Sequence, residues 1–334
     1  MFGFIGEYAL GRHGNSMNNN EVNLVSAGNL INNWEFHIMA PDMDIAHYEY
    51  SYKIRHFDLW AEEIEHQILP EITLDTLGYN NKTPGPVIIM RKGEWLFLTL
   101  HNRLSVPTGL QIQGYAKPGA IKQLPDFKLN GPIIDPDTSF TYKLLCDKPG
   151  TYLYHSALDF QVSLGLIGTL LILPDATDLD IDDIPDKDFV FLMQQWEIPD
   201  LALGEIIPGR YKPDKYHRNP NFFTLNGRCY PYTSPIYLCD GDNVRMRFLS
   251  KAGEGGWIHL EGHQFRVTSI NGFSRDNQHQ NFVNDTLEFN SGVRTDIAFT
   301  ANNPGKWIIN ATAIFHQSNN GVFPGGIMSN ILYF

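Results

Sequence analysis

The stretch "TYLYHSALDFQVSLGLIGTLLILP", residues 151–174, decides the fold class of this chain. It contains two apolar runs, one rich in aromatic residues and one rich in Leu and Ile, with a polar turn segment between them. Short apolar runs bounded by turn residues are typical of buried β-strands, because helices need longer periodic segments. The stretch therefore predicts two neighbouring strands of a β-sandwich.

Short apolar runs bounded by turn residues recur along the chain, and its two halves contain similar motifs. "MRKGEWLFLTLHN" (90–102) parallels "LCDGDNVRMRFLS" (238–250), and "KPGTYLYHSA" (148–157) parallels "NPGKWIINAT" (303–312). Such duplication predicts an all-β protein made of two copies of one sandwich. The predicted parts are an N-terminal arm at 1–47, a first domain at 48–174, an acidic linker at 175–188 and a second domain at 189–334.

Composition excludes several classes of partner. The chain has 25 basic and 37 acidic residues, and the formal charge of −12 opposes binding to nucleic acid or to anionic lipid. No apolar run is long enough to span a membrane, and the start of the chain lacks an export leader. We therefore expect a cytoplasmic protein, or an exported one if a leader has been removed.

Cysteine usage indicates no disulfide framework. The three cysteines are an odd number in a chain of 334 residues, so free thiols are expected. A Cys229–Cys239 pair stays open for an oxidising compartment.

Six motifs, in order along the chain, carry a family resemblance. They are "YNNKTPGPVI" (79–88), "TGLQIQG" (108–114), "GTYLYHSALDFQVSLGLIGTLLI" (150–172), "NFFTLNGRCYP" (221–231), "WIHLEGHQF" (257–265) and "PGKWIINATAIFH" (304–316). Through them the chain resembles the multicopper oxidases, most of all the two-domain members, which are the small laccases and the copper nitrite reductases. The resemblance implies two tandem cupredoxin-like Greek-key β-sandwich domains.

The resemblance also places the positions of a three-copper cluster. The family binds this cluster with pairs of histidines at positions i and i+2 of a strand, which point to one face. Here the four pairs are Gln111 with Gln113, His155 with Ala157, His259 with Glu261, and Asn310 with Thr312. Only two of the eight imidazoles remain.

The mononuclear blue-copper site of the family is altered in the same way. Such a site needs two His nitrogens and a Cys thiolate. Gly256 stands at the position of the first His and Ala311 at that of the Cys, so that only His316 is kept. His316 is interpreted as a packed or surface residue, and His263 as one that fixes its loop by hydrogen bonds.

Two interpretations of the remaining cluster residues stay open. In the first, amides, a hydroxyl and imidazoles form a hydrogen-bonded polar plug where the family holds copper. In the second, His155, His259 and Glu261 bind one metal ion, since two imidazoles and a carboxylate suit iron or zinc. Accordingly no cofactor is expected, with a single copper, iron or zinc ion as the alternative.

The leading functional hypothesis is a degenerate, non-catalytic member of the family with a structural, assembly or binding role. The alternative is an oxidoreductase with a reduced mononuclear metal site that acts on a small molecule. A third class, a binder of a small ligand in the interdomain cleft, fits the same residues. The resemblance further implies a homotrimer, because two-domain relatives place the cluster between the first domain of one subunit and the second domain of its neighbour. A protein partner stays open as well.

Overall fold

The computed structural model describes residues 34–115, 131–156, 158–175, 184–274 and 283–334. In these ranges nearly all regular structure is β, with two short 3-10 helices at Trp34–His37 and Ile314–Gln317. The strands up to residue 173 are β1 (Ile38–Met39), β2 (Glu49–Ser51), β3 (Ile54–Leu69), β4 (Ile72–Tyr79), β5 (Ile88–Arg91), β6 (Trp95–Asn102), β7 (Gln111–Gln113), β8 (Ser139–Leu145), β9 (Gly150–His155) and β10 (Ile167–Leu173). The later strands are β11 (Lys187–Trp196), β12 (Gly209–Tyr211), β13 (Phe222–Leu225), β14 (Ile236–Leu238), β15 (Asn243–Ser250), β16 (Gly256–Leu260), β17 (Arg266–Ile270), β18 (Phe273–Ser274), β19 (Thr286–Phe289), β20 (Arg294–Thr300), β21 (Lys306–Ala311) and β22 (Met328–Tyr333).

The first sandwich packs a six-stranded sheet against a four-stranded one. The larger sheet has the order β12-β4-β3-β6-β8, with β2 on the edge of β3, and the smaller has the order β5-β10-β9-β7. Buried and accessible residues alternate along β4 and β6, as expected for strands with one face on a core, whereas β10 is buried throughout. The stretch at 151–174 thus contains two of the predicted strands, β9 and β10, and the structure shows that they pair antiparallel.

The second sandwich repeats this plan. A seven-stranded sheet has the order β1-β11-β15-β20-β17-β18, with β13 on β11, and faces a five-stranded sheet of order β14-β22-β21-β16-β19. A core rich in phenylalanine, with Phe191, Phe248 and Phe289 among its buried members, fills the space between them. The echoed motifs occupy equivalent strands, β6 and β15 in one case and β9 and β21 in the other. The predicted all-β fold of two tandem sandwiches is confirmed.

Exchanged segments tie the two sandwiches together. Strand β1, from the predicted arm, pairs in parallel with β11 of the second sandwich, while Glu35 forms ion pairs with Arg55 and Arg91 of the first. In return β12, from the second half of the chain, extends the sheet of the first sandwich beside β4. The last part of the arm is therefore packed structure, and β11 already begins at Lys187 inside the predicted linker. Residues 1–33 and 176–183 lie outside the described ranges, so the predicted boundaries stay predictions.

A buried charge network lies at the seam between the sandwiches. Arg247 on β15 donates two hydrogen bonds of 2.7 Å to the carboxylate of Asp188. The same carboxylate accepts a third hydrogen bond from the indole N–H of Trp34 at 2.9 Å. Arg247 also donates to Thr151 of the first sandwich at 2.8 Å, and Thr151 in turn donates to Asp296 at 2.9 Å. Burial of charges is tolerated only where such partners are supplied. The network therefore fixes the arm and both sandwiches relative to one another.

The cysteines agree with the expectation of free thiols. Cys146 and Cys229 are buried and Cys239 is exposed, and all three are unbridged. The alternative Cys229–Cys239 pair is not formed. Within the described ranges, no helix has the length and apolar character needed to cross a membrane.

Candidate functional site

The first half of the candidate site lies on the paired strands β7 and β9. Gln111 and Gln113 share one face of β7, and Gln111 stands opposite His155 in the register. His155 is buried, and its Nδ1 donates to the carbonyl oxygen of Ser156 at 2.8 Å. Burial lowers the pKa of His155 to about 4, so the ring is neutral at pH 7. The position of Ala157 lies outside the described residues.

Gln113 connects this half to the second sandwich of the same chain. Its Nε2 donates to the carbonyl oxygen of Gly292 at 3.2 Å, and its Oε1 accepts from Lys251 Nζ at 3.3 Å. Burial and the nearby Arg294 guanidinium lower the pKa of Lys251. Lys251 therefore lies beside Gln113, one of the predicted cluster positions. Sequence reasoning missed it, because a lysine just after an apolar strand shows no distinctive pattern.

The other half of the site lies at β16 and β21. His259 stands opposite Asn310 in the register, and its Nδ1 lies 3.0 Å from the carbonyl oxygen of Asp285. The side-chain oxygen of Asn310 is buried and has no hydrogen-bond partner among the described residues. Thr312, just past the end of β21, is exposed. His259 and Asn310, two of the predicted cluster positions, therefore lie opposite each other on paired strands. Thr312, a third, is at the surface.

Within the described ranges, the two halves of one chain do not come together as a metal site. Among the residues that the structure describes, no group of three His, Cys, Asp or Glu side chains is placed to hold a metal ion. His155 belongs to the first sandwich, whereas His259 and Glu261 belong to the second. The predicted set of His155, His259 and Glu261 therefore stays a prediction that depends on a second copy of the chain.

His316, the predicted remnant of the blue-copper site, is enclosed by aromatic rings. Its side chain is fully buried, with ring centroids of Phe315, Phe223 and Phe289 at 3.9, 4.6 and 5.5 Å. Neither ring nitrogen has a hydrogen-bond partner among the described residues. Burial lowers the pKa of His316 to about 4. The interpretation of His316 as a packed histidine agrees with this placement.

The packing around Gly256 crowds the position of the other imidazole of a blue-copper site. A Cβ added to Gly256 would lie 2.9 Å from the ring of Phe289 and 3.0 Å from Cε1 of His316, so that even a methyl group would be crowded. Ala311 is fully buried and supplies no sulfur. The closing of the site by Phe289 could not be seen from the sequence, because nothing in its strand marks that ring as a neighbour of His316.

His263 fixes its loop as predicted. Its Nδ1 donates to the carbonyl oxygen of Glu261 at 2.8 Å, and its Nε2 accepts from the hydroxyl of Tyr333 at 2.6 Å. The ring also stacks on Tyr333 with an interplanar angle of 10°. These contacts hold the end of β16, and therefore Glu261, in place.

Comparison with family models decides the relationship. Two models described as multicopper oxidase match residues 61–177 and 206–322, one on each sandwich. The chain belongs to the multicopper oxidase family. Laccase-3 of Thanatephorus cucumeris is 28% identical over 288 residues, which cover 79% of this chain and 46% of the laccase. The multicopper oxidase MmcO of Mycobacterium tuberculosis is 24% identical and matches 60% of this chain and 44% of its own length. The chain thus spans less than half the length of these relatives.

Solved structures agree with this assignment. The multicopper oxidase mgLAC superposes with a TM-score of 0.70 at 26% identity, over 84% of this chain and 86% of its own. The blue copper oxidase from Nitrosomonas europaea has a TM-score of 0.69 at 26% identity, with the same coverage. A copper nitrite reductase from Nitrosomonas europaea, at 18% identity, shares the fold with a TM-score of 0.66.

Family membership corrects the expectation about cofactors. No cofactor was expected, with a single copper, iron or zinc ion as the alternative, but the family models and the relatives are those of copper proteins. Copper is therefore the cofactor that the family implies. The residues at the family positions do not fit the sites that the family uses. His316 lacks a thiolate neighbour, and the described residues bring no three ligands together within one chain.

Proposed function

We propose that this member of the multicopper oxidase family does not oxidise substrates as the family does, and serves instead as a structural, assembly or binding protein. The observation that supports this most strongly is the enclosure of His316 by Phe223, Phe289 and Phe315. A blue-copper site passes electrons through a copper–thiolate bond, and the buried Ala311 cannot supply one. Three of the predicted cluster residues, Gln113, His155 and His259, hydrogen-bond to backbone carbonyl groups.

The first prediction concerns colour and oxidase activity after loading with copper. We expect no intense visible band of a copper–thiolate bond, and no oxidation of a phenolic or dye substrate above the rate of free copper. Absorption spectroscopy and a dye-oxidation assay on the loaded and desalted protein measure both. A blue protein with stoichiometric copper that turns over the dye would refute the proposal.

A pair of variants makes this test specific to the enclosed site. Ala311→Cys alone should stay colourless, because Phe289 occupies the space beside Gly256 where the other imidazole would be needed. The variant Gly256→His/Ala311→Cys/Phe289→Ala supplies both missing ligands and the space, and it serves as the matched comparison. Restoration of a blue band by Ala311→Cys alone would show that the aromatic rings do not close the site.

Assembly forms the second part of the proposal. A homotrimer in the arrangement of the two-domain relatives would bring two sets of side chains together, Gln111, Gln113 and His155 of one subunit and His259, Glu261, Asn310 and Thr312 of its neighbour. The exposure of Thr312 and the partial exposure of Glu261 support this, since both side chains are accessible to a second subunit. A closed ring of identical heterologous interfaces would leave no open edge.

The second prediction follows from this arrangement. Multi-angle light scattering at micromolar concentration should give three times the chain mass of 38.0 kDa. If the polar contacts lock the interface, Glu261→Ala should shift the protein toward smaller species, while Glu49→Ala, at an exposed position of β2, should leave the trimer intact. A monomeric wild-type protein would refute the trimer. A trimer that is unaffected by Glu261→Ala would show that these polar contacts do not stabilise the interface, but it would leave the trimeric assembly itself in place.

A further inference from the structure

A cavity of about 1060 Å³ lies beside the β3–β4 hairpin of the first sandwich. The hairpin supplies one wall through Glu63 and Leu77, which stand opposite each other in the register and so point to the same face. The loop between β9 and β10 supplies a second wall at residues 159–164. The segment 210–215, which begins in β12, supplies the third. The cavity is therefore built from both halves of the chain.

Buried hydrogen bonds hold the loop wall in place. Gln161 is 3% exposed, and its Oε1 accepts from the hydroxyl groups of Thr108 at 2.8 Å and of Ser156 at 2.6 Å. The carbonyl oxygen of Leu164 accepts from the backbone N–H of Leu77 at 2.8 Å. A wall that is fixed in this way does not have to be ordered when a ligand binds, which favours affinity.

Two residues at the edge of this wall have a strained backbone. Asp159 and Phe160 have φ angles of 37° and 58°, in the left-handed region that non-glycine residues rarely adopt. Asp159 lines the cavity, and the ring of Phe160 packs against Tyr216 with centroids 5.0 Å apart. Such strain is retained where the surrounding structure fixes it, and it clusters at ligand-binding sites. The strained turn, in addition to the cavity itself, therefore favours a binding site here.

Seven charged side chains line the cavity, and five of them are paired with one another. These five form three ion pairs, Arg210–Glu65 at 2.8 Å, Arg210–Asp75 at 2.6 Å and Lys215–Asp159 at 3.4 Å. The two others are Glu63 and Lys212. Glu63 accepts a hydrogen bond from the hydroxyl of Ser105 at 3.2 Å, and neither residue has an ion-pair partner among the described residues. The cavity therefore offers one free carboxylate and one free ammonium group.

Glu63 and Lys212 lie on opposite walls of the cavity. Glu63 belongs to β3 and Lys212 follows β12, and β4 lies between these two strands in the sheet. Two strand spacings therefore separate them by about 10 Å across the sheet. An extended peptide covers about 3.5 Å per residue, so the termini of a tripeptide span a similar distance. Leu77 and Leu164 add apolar surface to the lining. The arrangement fits a ligand with an amino group at one end and a carboxylate at the other.

We propose that this cavity binds a short peptide of about three residues with free termini, its amino group at the carboxylate of Glu63 and its carboxylate at the ammonium group of Lys212. Hydrogen bonds between charged partners are about twice as strong as neutral ones, so the two termini contribute much of the affinity. The volume lies at the upper end of the range of about 300 to 1,000 Å³ typical of small-molecule sites, which leaves room for peptide side chains over Leu77 and Leu164. The site shares no residue with the positions on which the proposed function rests, so either proposal can fail without the other.

Isothermal titration calorimetry with trialanine tests this site, with trileucine as a second peptide that has larger apolar side chains. We expect saturable binding of one molecule of at least one of them per chain. The N-acetylated and the C-amidated forms of the peptide that binds each lack one charge, and each should bind about tenfold or more weakly. Absence of saturable binding by both free peptides at millimolar concentration would overturn the proposal, as would unchanged affinity of both capped forms.

Variants of the two free charges locate the binding. Glu63→Gln should weaken binding of the free peptide about tenfold, but should leave the affinity for its N-acetylated form unchanged, because that form has no ammonium group to lose. Lys212→Gln should act in the same way on the free peptide and the C-amidated form. Glu49→Gln and Lys148→Gln, at exposed positions outside the cavity, should leave every affinity unchanged. If Glu63→Gln and Lys212→Gln both bind the free peptide as tightly as the wild type does, the peptide binds elsewhere and the proposal is wrong.

Discussion

Replacing Asp188 by alanine is expected to lower the free energy of unfolding by about 3 to 5 kcal/mol, because it leaves the buried guanidinium of Arg247 without its main partner. Asp188 is fully buried and Arg247 is 3% exposed, so water cannot replace the lost carboxylate. The indole N–H of Trp34 would lose its acceptor as well. Urea denaturation of the wild-type protein and the variant at pH 7 measures the difference.

Two further variants separate this explanation from a general loss of packing. Asp186→Ala, two residues earlier and exposed, should cost far less. The triple variant Asp188→Leu/Arg247→Met/Asp296→Asn removes the ion pair together with the charge of Asp296, which otherwise would lose its contact with Arg247 at 3.4 Å. It should recover a large part of the stability, since buried ion pairs can often be replaced by apolar residues at little cost. If the triple variant were less stable than Asp188→Ala, the unpaired charge would not be the cause of the loss.

Acidification should unfold this protein over a definite pH range. Burial lowers the pKa of His66, His155, His217 and His316 to about 4, compared with an ordinary value near 6.5. The unfolded chain therefore binds more protons than the folded one between pH 6.5 and 4. Their contribution to stability is fully present above pH 6.5 and is lost as the pH falls toward 4. Each such group adds a slope of at most about 1.4 kcal/mol per pH unit.

Variants of strand β3 test the assignment of this slope to the histidines. His66 donates from Nε2 to the carbonyl oxygen of Gly227 at 2.8 Å, across the seam between the sandwiches. Denaturation curves at pH 7, 6 and 5 should show a shallower dependence for His66→Asn than for the wild type. Ile68→Val, at a fully buried position on the same strand, should lower stability equally at every pH. A slope that His66→Asn leaves unchanged would contradict the assignment.

Much of the fold could be predicted from short motifs, because strand pairing in this family follows local patterns of apolar runs and turns. Residues 151–174 form β9 and β10, and the echoed Pro-Gly motifs begin equivalent strands. The packing of the arm could not be predicted in this way. Trp34 and Glu35 reach partners more than 15 residues away in sequence, and no periodic pattern marks such contacts.

The candidate site, too, could be predicted from the sequence only in part. The loss of a ligand at Ala311 is a prediction that follows from its motif, since the motif specifies the residue type that a copper site needs. The side chains that now surround these positions are brought there by tertiary packing. Phe289 reaches His316 from a strand about 30 residues earlier, and Lys251 reaches Gln113 from the other sandwich. Contacts between distant strands depend on register and sheet stacking, which a single sequence does not display.

Anomalous diffraction at the copper absorption edge, from crystals grown with copper, tests the central claim most directly. The claim is that aromatic rings fill the family's electron-entry site around His316. We predict no anomalous peak beside His316, and side chains of Phe223 and Phe289 packed against its ring. A copper peak within bonding distance of a His316 nitrogen would contradict the claim.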